Sequence, residues 1–198
     1  MQDVAALEHE LLAVALREFL DHGYGATSMR RIAQVAQISK TTLYAKYPSK
    51  EELFKALMRE QVNRLGGETT LKLHAGKGDI AAGLQAYANR MLDISLHGDL
   101  LEVNRLITSE SHRFPELGLT AAERTAIGIA QVADFIRHCA QADGLPCRDP
   151  EAAAQAFIMM IRGWYVNVML TNRPVPAAER EAWVSRTVHA LVSARSEW

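Results

Sequence analysis

Residues 26–50 read ATSMRRIAQVAQISKTTLYAKYPSK. The window carries Arg30, Arg31, Lys40, Lys46 and Lys50 and no acidic residue. Its apolar positions fall into two short helical runs, 29–36 and 39–47, parted by a tight turn and closed by Pro48. Thr27 or Ser28 caps the first run and Ser39 opens the second, while Ile32, Val35, Ile38 and Leu43 supply a small shared core. Two short helices joined this way match a helix-turn-helix, whose second helix enters the major groove while the first crosses the backbone. Lys40, Thr41, Thr42, Tyr44, Ala45 and Lys46 are left facing outward. Short hydroxyls, a phenol and two ammonium groups suit base edges and phosphates, and Ala45 or a Thr methyl suits a thymine methyl. Thr27 and Ser28 stand at a helix N-terminus, where hydroxyl, amides and dipole favour a phosphate oxygen. Charge and periodicity alone also fit a solvated face on an ordinary helix pair.

The rest of the chain changes the meaning of its net charge. Over 198 residues, 22 Lys and Arg against 23 Asp and Glu give −1, which offers no hint of a polyanionic partner. The window holds +5, so the remainder carries −6. A local basic block is what a phosphate backbone requires. Hydrophobic residues at 48% and charged ones at 23% are ordinary globular proportions.

Helical spacing recurs throughout, with almost no strand signal, so the fold class is all-α with about nine helices. Leu7, Leu11, Ala15 and Phe19 make a first stripe, ended by Gly23. Ser49 to Glu52 forms a capping box that opens a helix through about Leu65. Breaks at Gly66-Gly67 and 76–78 precede Asp79, which caps a helix to about His97. Asp99 starts another, reaching about Ser111 and stopped near Pro115. Thr120 to Glu123 reads as a second capping box, opening a helix to about Ala142. Asp149-Pro150 is an N-cap followed by proline at the first helical position. Pro174 and Pro176 end that helix and seed a last one over 177–194. The most apolar stretch, 152–170, is interrupted by Gln155, Arg162 and Asn167 and reads as a helix buried in protein rather than a membrane span.

Phe19-Leu20, Gly23-Tyr24, the run Thr27 to Ala33, Ile38 to Lys40, Thr42 to Tyr44 and Tyr47 to Leu53 together resemble the N-terminal domain of TetR-family transcriptional regulators, contiguously over about residues 10–58. Arg105 to Glu110 with Arg113 to Leu117 is similar to a segment of the AcrR/AefR-like branch. The resemblance implies a homodimer, three N-terminal helices on double-stranded operator DNA, and a C-terminal domain that binds a small molecule and dimerises. The expected division is 1–48 for DNA and 49–198 for ligand and dimer contacts. Carried to matching positions, Thr27, Lys50 and the Tyr44 phenol would contact phosphates, while Lys40, Thr41, Thr42, Ala45 and Lys46 would face the groove. Ser28, Arg30 and Ser39 complete the DNA-binding candidates. Leu43 and Tyr47 would pack. Two positions depart from the pattern. Gln37 stands where the turn usually has Gly, and a positive φ there costs ~1 kcal/mol or more, so a strained or differently wound turn is expected. Lys46 replaces an aromatic or His, which bears on the operator sequence.

Residues 60–198 are less specific. Phe135, Met159, Met160, Trp164, Tyr165 and Met169 are bulky and adaptable, as a pocket for an unknown, partly apolar effector would be, and equally as a core would be. Arg105, His112 and Arg162 would orient a ligand's polar end, or cap and pair. Phe157, Ile161, Trp164 and Val168, with Trp183, Val184, Thr187, Val188 and Leu191, form two apolar stripes expected either to build a four-helix dimer interface or to cover their own domain. Among enzyme motifs, Gly-x-Ser-x-Gly, a Walker loop, Gly-x-Gly-x-x-Gly and His-Glu-x-x-His are all missing. His138, Cys139 and Cys147 lack the paired spacing of a metal site, so no metal or cofactor is expected. Two cysteines and a start without a basic-then-apolar leader point to a cytoplasmic chain with free thiols. The expected function is a ligand-responsive repressor. An all-α small-molecule-binding protein or enzyme without DNA function is the alternative.

Overall fold

The computed structural model describes residues 2–66, 79–145, 147–171 and 173–195. Among them the chain forms nine helices: α1 (Gln2–His22), α2 (Met29–Val35), α3 (Lys40–Lys46), α4 (Lys50–Gly66), α5 (Ile80–Ser95), α6 (Gly98–Glu110), α7 (Pro115–Asp143), α8 (Pro150–Thr171) and α9 (Ala177–Ser193). The all-α expectation holds, and the breaks expected at Gly67 and 76–78 lie outside the described residues. Caps account for several boundaries. Ser49 Oγ accepts from the Glu52 amide at 3.1 Å, and Asp79 Oδ1 accepts from Ala81 and Ala82 at 2.9 and 3.3 Å. Asp149 Oδ1 accepts from the Ala152 amide at 2.8 Å, with Pro150 first in α8.

One boundary differs from expectation. The Thr120 to Glu123 capping box opens no helix, because α7 has already begun at Pro115. Proline costs nothing in a first turn, where its missing amide has no intrahelical partner anyway. Thr120 is buried, and its hydroxyl donates back to the Glu116 carbonyl at 2.8 Å, as a mid-helix threonine does.

The contacts divide the chain into two compact units, neither continuous in sequence. The first comprises Met1–Gly67 and Glu102–Ala121, and the second Glu68–Leu101 and Ala122–Trp198. In the first, α1 packs on α4 and α2, and α2 on α3, over a core of Leu11, Ala15, Leu16, Ile32, Leu43, Leu53 and Leu57. Phe19, Tyr24 and Phe54 meet with ring centroids 5.3–5.8 Å apart, and Phe114 joins Tyr24 at 5.1 Å.

In the second unit α5, α8 and α9 pack together, with the inner face of α7 completing one core. Here the expected dimer residues prove to be interior. Phe157, Ile161, Val184 and Val188 have no exposed surface, Val168 and Leu191 are buried, and Trp183 is half-buried against the same cluster. A side chain fully covered within one protomer has no area left for a second, so these stripes cover their own unit. The face of α8 left exposed carries Ala152, Ala156, Met159, Met160, Gly163 and Leu170 instead. On α9 the exposed face carries Ala178, Ala182, Ser185 and His189.

Candidate nucleic-acid interface

Helices α2 and α3 are short, seven residues each, and their geometry is fixed at both ends. Ser28 Oγ accepts from the Arg31 amide at 3.2 Å to start α2. Ser39 Oγ accepts from the Thr42 amide at 3.0 Å to start α3, and lies 2.7 Å from the Thr42 hydroxyl. Between them α2 ends with two reversed bonds: Ile38 N–H to the Ala33 carbonyl at 3.0 Å, and Gln37 N–H to the Gln34 carbonyl at 3.2 Å. This pairing is a Schellman motif, which requires a left-handed residue after the cap. Gln37 supplies it with φ 55°, the one positive-φ residue other than glycine among the described residues. The turn is therefore wound as a glycine would wind it, and carries the strain of a side chain in that conformation.

The core expected beneath the pair forms around Ile32 and Leu43, both with no exposed surface, with Ile38 half-buried. Val35 departs from it at 45% exposure. Lys40, Thr41, Thr42, Tyr44, Ala45 and Lys46 are all exposed on α3, with Ser28, Arg30 and Ser39 exposed beside them. Arg30 and Lys40 have no protein partner among the described residues, whereas Lys46 Nζ lies 2.8 Å from Glu8 Oε2. Tyr47 packs, as expected, and its hydroxyl donates to Glu8 at 2.7 Å. Burial, reinforced by that carboxylate, pushes the Tyr47 phenol well up, while Lys46 and Tyr47 together hold Glu8 below the usual carboxylate range.

Two residues expected to contact phosphate bond instead to backbone carbonyls of the chain, Thr27 from a buried position and Lys50 from a half-buried one. Thr27 is 1% exposed, and its hydroxyl proton lies between the Glu18 and Gly23 carbonyls, each 2.8 Å away. Lys50 turns inward: Nζ donates to the carbonyls of Tyr24 at 2.6 Å and Thr27 at 3.1 Å, and stands 4.3 Å from the centre of the Tyr24 ring. Burial lowers its pKa, against the opposing pull of Glu116 and Glu110. In the free chain both residues brace the loop before α2. A third basic residue of the window, Arg31, is paired with the buried Glu18 carboxylate and donates to His22 Nε2 at 2.9 Å. Glu18 was legible as an acidic residue interrupting the apolar stripe of α1, four residues before His22. Glu8 carried no comparable signal.

The ligand candidates separate. Arg105 and His112 belong to the first unit, where Arg105 pairs with Glu102 at 2.7 Å and His112 is exposed. Phe135, Met160, Trp164 and Tyr165 belong to the second. Phe135 and Tyr165 are core residues, and Trp164 stacks on Trp183 with centroids 6.1 Å apart and planes 10° apart. Met160 lies on the exposed face of α8 and not in an interior pocket. Beside Tyr165, Arg162 donates to the Thr125 hydroxyl, and burial lowers the pKa of the neighbouring Arg124, with Arg162 adding to the shift and Tyr165 opposing it. Sequence reading left Arg124 unmarked, since nothing local distinguishes it from a surface arginine. Among the described residues no three His, Cys, Asp or Glu side chains are placed to hold a metal ion, and no helix is long and apolar enough to cross a membrane.

A capped helix pair with an exposed second helix, built into an all-helical chain, defines a helix-turn-helix DNA-binding protein. The comparisons fix the family. Residues 11–57 match the model for bacterial regulatory proteins of the tetR family, and 82–194, more than half of the chain, match the C-terminal domain of AefR-like transcriptional repressors. The chain belongs to the TetR family of transcriptional regulators, which are DNA-binding transcription factors and not enzymes. An uncharacterized HTH-type transcriptional regulator of Mycobacterium bovis is 41% identical over 58 residues, which span 29% of each chain. A TetR-family regulator structure from Mesorhizobium loti superposes with a TM-score of 0.77 at 27% identity over 96% of both chains. The flavonoid-responsive regulator FrrA superposes with a TM-score of 0.79 at 28% identity, over 96% of this chain and 97% of its own.

Proposed function

We propose that this regulator is a cytoplasmic homodimeric repressor that reads a near-palindromic operator with α3 and is released from it by a small molecule. The observation that carries the reading is the exposed face of α3, where Lys40, Thr41, Thr42, Tyr44, Ala45 and Lys46 stand clear of the core on a doubly capped helix. Ser28, Arg30 and Ser39 flank it as backbone contacts. DNA reading is assigned to 1–48, and effector and dimer contacts to 49–198. Two copies would place their α3 helices about 34–36 Å apart, one helical turn of DNA.

The dimer reading is supported by the exposed faces of α8 and α9, which carry Ala156, Met159, Gly163 and Leu170 on the one and Ala178, Ala182 and Ser185 on the other. A Cβ added at Gly163 would meet nothing within 4 Å. Glycine in a helix interior costs roughly 1 kcal/mol relative to alanine, and nothing within the protomer requires it here. Close approach of a second backbone would.

For the effector, Arg162, Arg124 and Tyr165 offer a cationic and phenolic end beside an apolar interior, which suits a partly apolar molecule with polar substituents. The flavonoid response of FrrA makes flavonoids the first compounds to test. An effector that prefers a conformation with altered half-site spacing would weaken DNA binding by its differential affinity for the two states.

Selection of bound fragments from random DNA tests the whole. A recovered palindrome with half-sites one turn apart is expected, and titration of flavonoids against the recovered duplex should then release it. Recovery of no sequence, or of an asymmetric one, would overturn the reading.

A further inference from the structure

The loop between α1 and α2, Gly23-Tyr24-Gly25, is gripped by residues that sit far along the chain. Glu110, the last residue of α6, accepts from the Tyr24 amide through Oε1 at 2.7 Å and from the Gly25 amide through Oε2 at 3.1 Å. Two successive amides converging on one carboxylate form a small anion nest. The glycines on either side make room for it. A Cβ on Gly23, whose φ is +80°, would lie 2.7 Å from Glu110 Oε1, and one on Gly25 would lie 2.9 Å from Phe114 Cζ. The carbonyls of Tyr24 and Thr27 are taken up by Lys50 and that of Gly23 by the Thr27 hydroxyl. The loop amides at 24 and 25 thus depend on Glu110, and its carbonyls on residues of the helix-turn-helix segment itself.

We propose that Glu110 is a positioning residue for DNA binding: by holding Tyr24 and Gly25 it fixes where α2 begins and so the pose in which α3 is presented. The inference rests on the assignment of α3 as the reading helix. Thr27 and Ser28 follow the gripped loop after one residue, Ala26, and Ser28 caps α2. Without the carboxylate the amides of Tyr24 and Gly25 lose their acceptor, and the backbone there must be ordered at the moment of binding. Glu110 lies outside the 11–57 segment that matches the N-terminal family model and inside the 82–194 segment that matches the C-terminal one, yet it packs in the same compact unit as α3. A residue assigned by sequence to the ligand-binding half thus completes the DNA-reading half.

The test uses the full-length protein with Glu110→Ala and Glu110→Gln, the second keeping size and one acceptor. Amide hydrogen exchange is followed without DNA, and affinity is measured by fluorescence anisotropy on the duplex that wild-type protein recovers from random DNA. Exchange at Tyr24 and Gly25 should quicken about tenfold or more in the alanine variant, as expected for two charge-assisted bonds. Affinity should fall by about the same factor with the selected sequence unchanged, and the glutamine variant should lie between. Wild-type exchange rates at Tyr24 and Gly25 in both variants would overturn the proposal, as would faster exchange with unchanged affinity. If wild-type protein recovered no duplex, the DNA reading beneath the proposal would fail instead.

Discussion

Gln37 holds a left-handed conformation that costs a non-glycine residue roughly 1–2 kcal/mol, and the Schellman bonds of Ile38 and Gln37 itself keep it there. Gln37→Gly should therefore stabilise the chain by about 1 kcal/mol, slightly less once the added freedom of the unfolded glycine is counted. Thermal unfolding checks this, and an unchanged or lower midpoint would show that the turn is not strained. Lys50 makes a second prediction, because its ammonium group is bound to two backbone carbonyls. Lys50→Ala should destabilise its unit by about 1–3 kcal/mol while leaving the salt dependence of DNA binding unchanged, whereas Lys40→Ala should reduce that slope by about one ion. A reduced slope in the Lys50 variant would restore it to the phosphate contacts. Sequence counts charges by sign and cannot show where they point. Of the five basic residues in 26–50, Lys50 is bound to two carbonyls, Arg31 is paired with Glu18 and Lys46 lies beside Glu8, which leaves Arg30 and Lys40 without a partner among the described residues. The information that turns Lys50 lies in Tyr24, Glu110 and Glu116, too distant in sequence to be read with it.

At the scale of the element, what was legible is what is local. Caps at Ser28, Ser39, Ser49, Asp79 and Asp149 are bonds spanning two or three residues, so the residue types alone announce them. The start of α7 was misplaced because Pro115 and Thr120 both carry start signals, and only packing chooses between them. Packing also decides Gly83 on α5. A Cβ there would overlap Phe135 Cζ, so the ring occupies the space that alanine would need. Helix propensity predicts that Gly83→Ala stabilises by about 1 kcal/mol. The contact predicts the opposite, a loss of about 1–3 kcal/mol from overpacking. The double variant with Phe135→Leu should recover part of that loss in a denaturant titration. Additive effects would show that Phe135 does not rest on Gly83.

At the scale of the molecule, hydrophobic periodicity located the inner faces of α8 and α9 and could not say what they were inside. Spacing marks an apolar stripe equally well whether it meets its own chain or a second one, and burial of Val188 and Phe157 shows that their own unit covers them. Val188→Asp should accordingly cost several kcal/mol and unfold the unit rather than yield folded monomers. Gly163→Arg distinguishes the two roles. It enters open space within the protomer and should leave thermal stability intact or raised, while sedimentation velocity shows monomers and operator binding is lost. An intact dimer would remove the outer face of α8 from the interface. The grip of Glu110 and Phe114 on a loop 85 to 90 residues earlier also bears on how the chain is made. Synthesis runs from the N-terminus at about 5–20 residues each second. The helix-turn-helix therefore emerges several seconds before the residues that seat its first loop. Until α6 and Phe114 have followed, Tyr24 lacks one of its three ring contacts and the nest its anion. A nascent chain halted after α4 would hold all the groups proposed to read DNA and still lack the anion and the Phe114 ring that seat the loop before them.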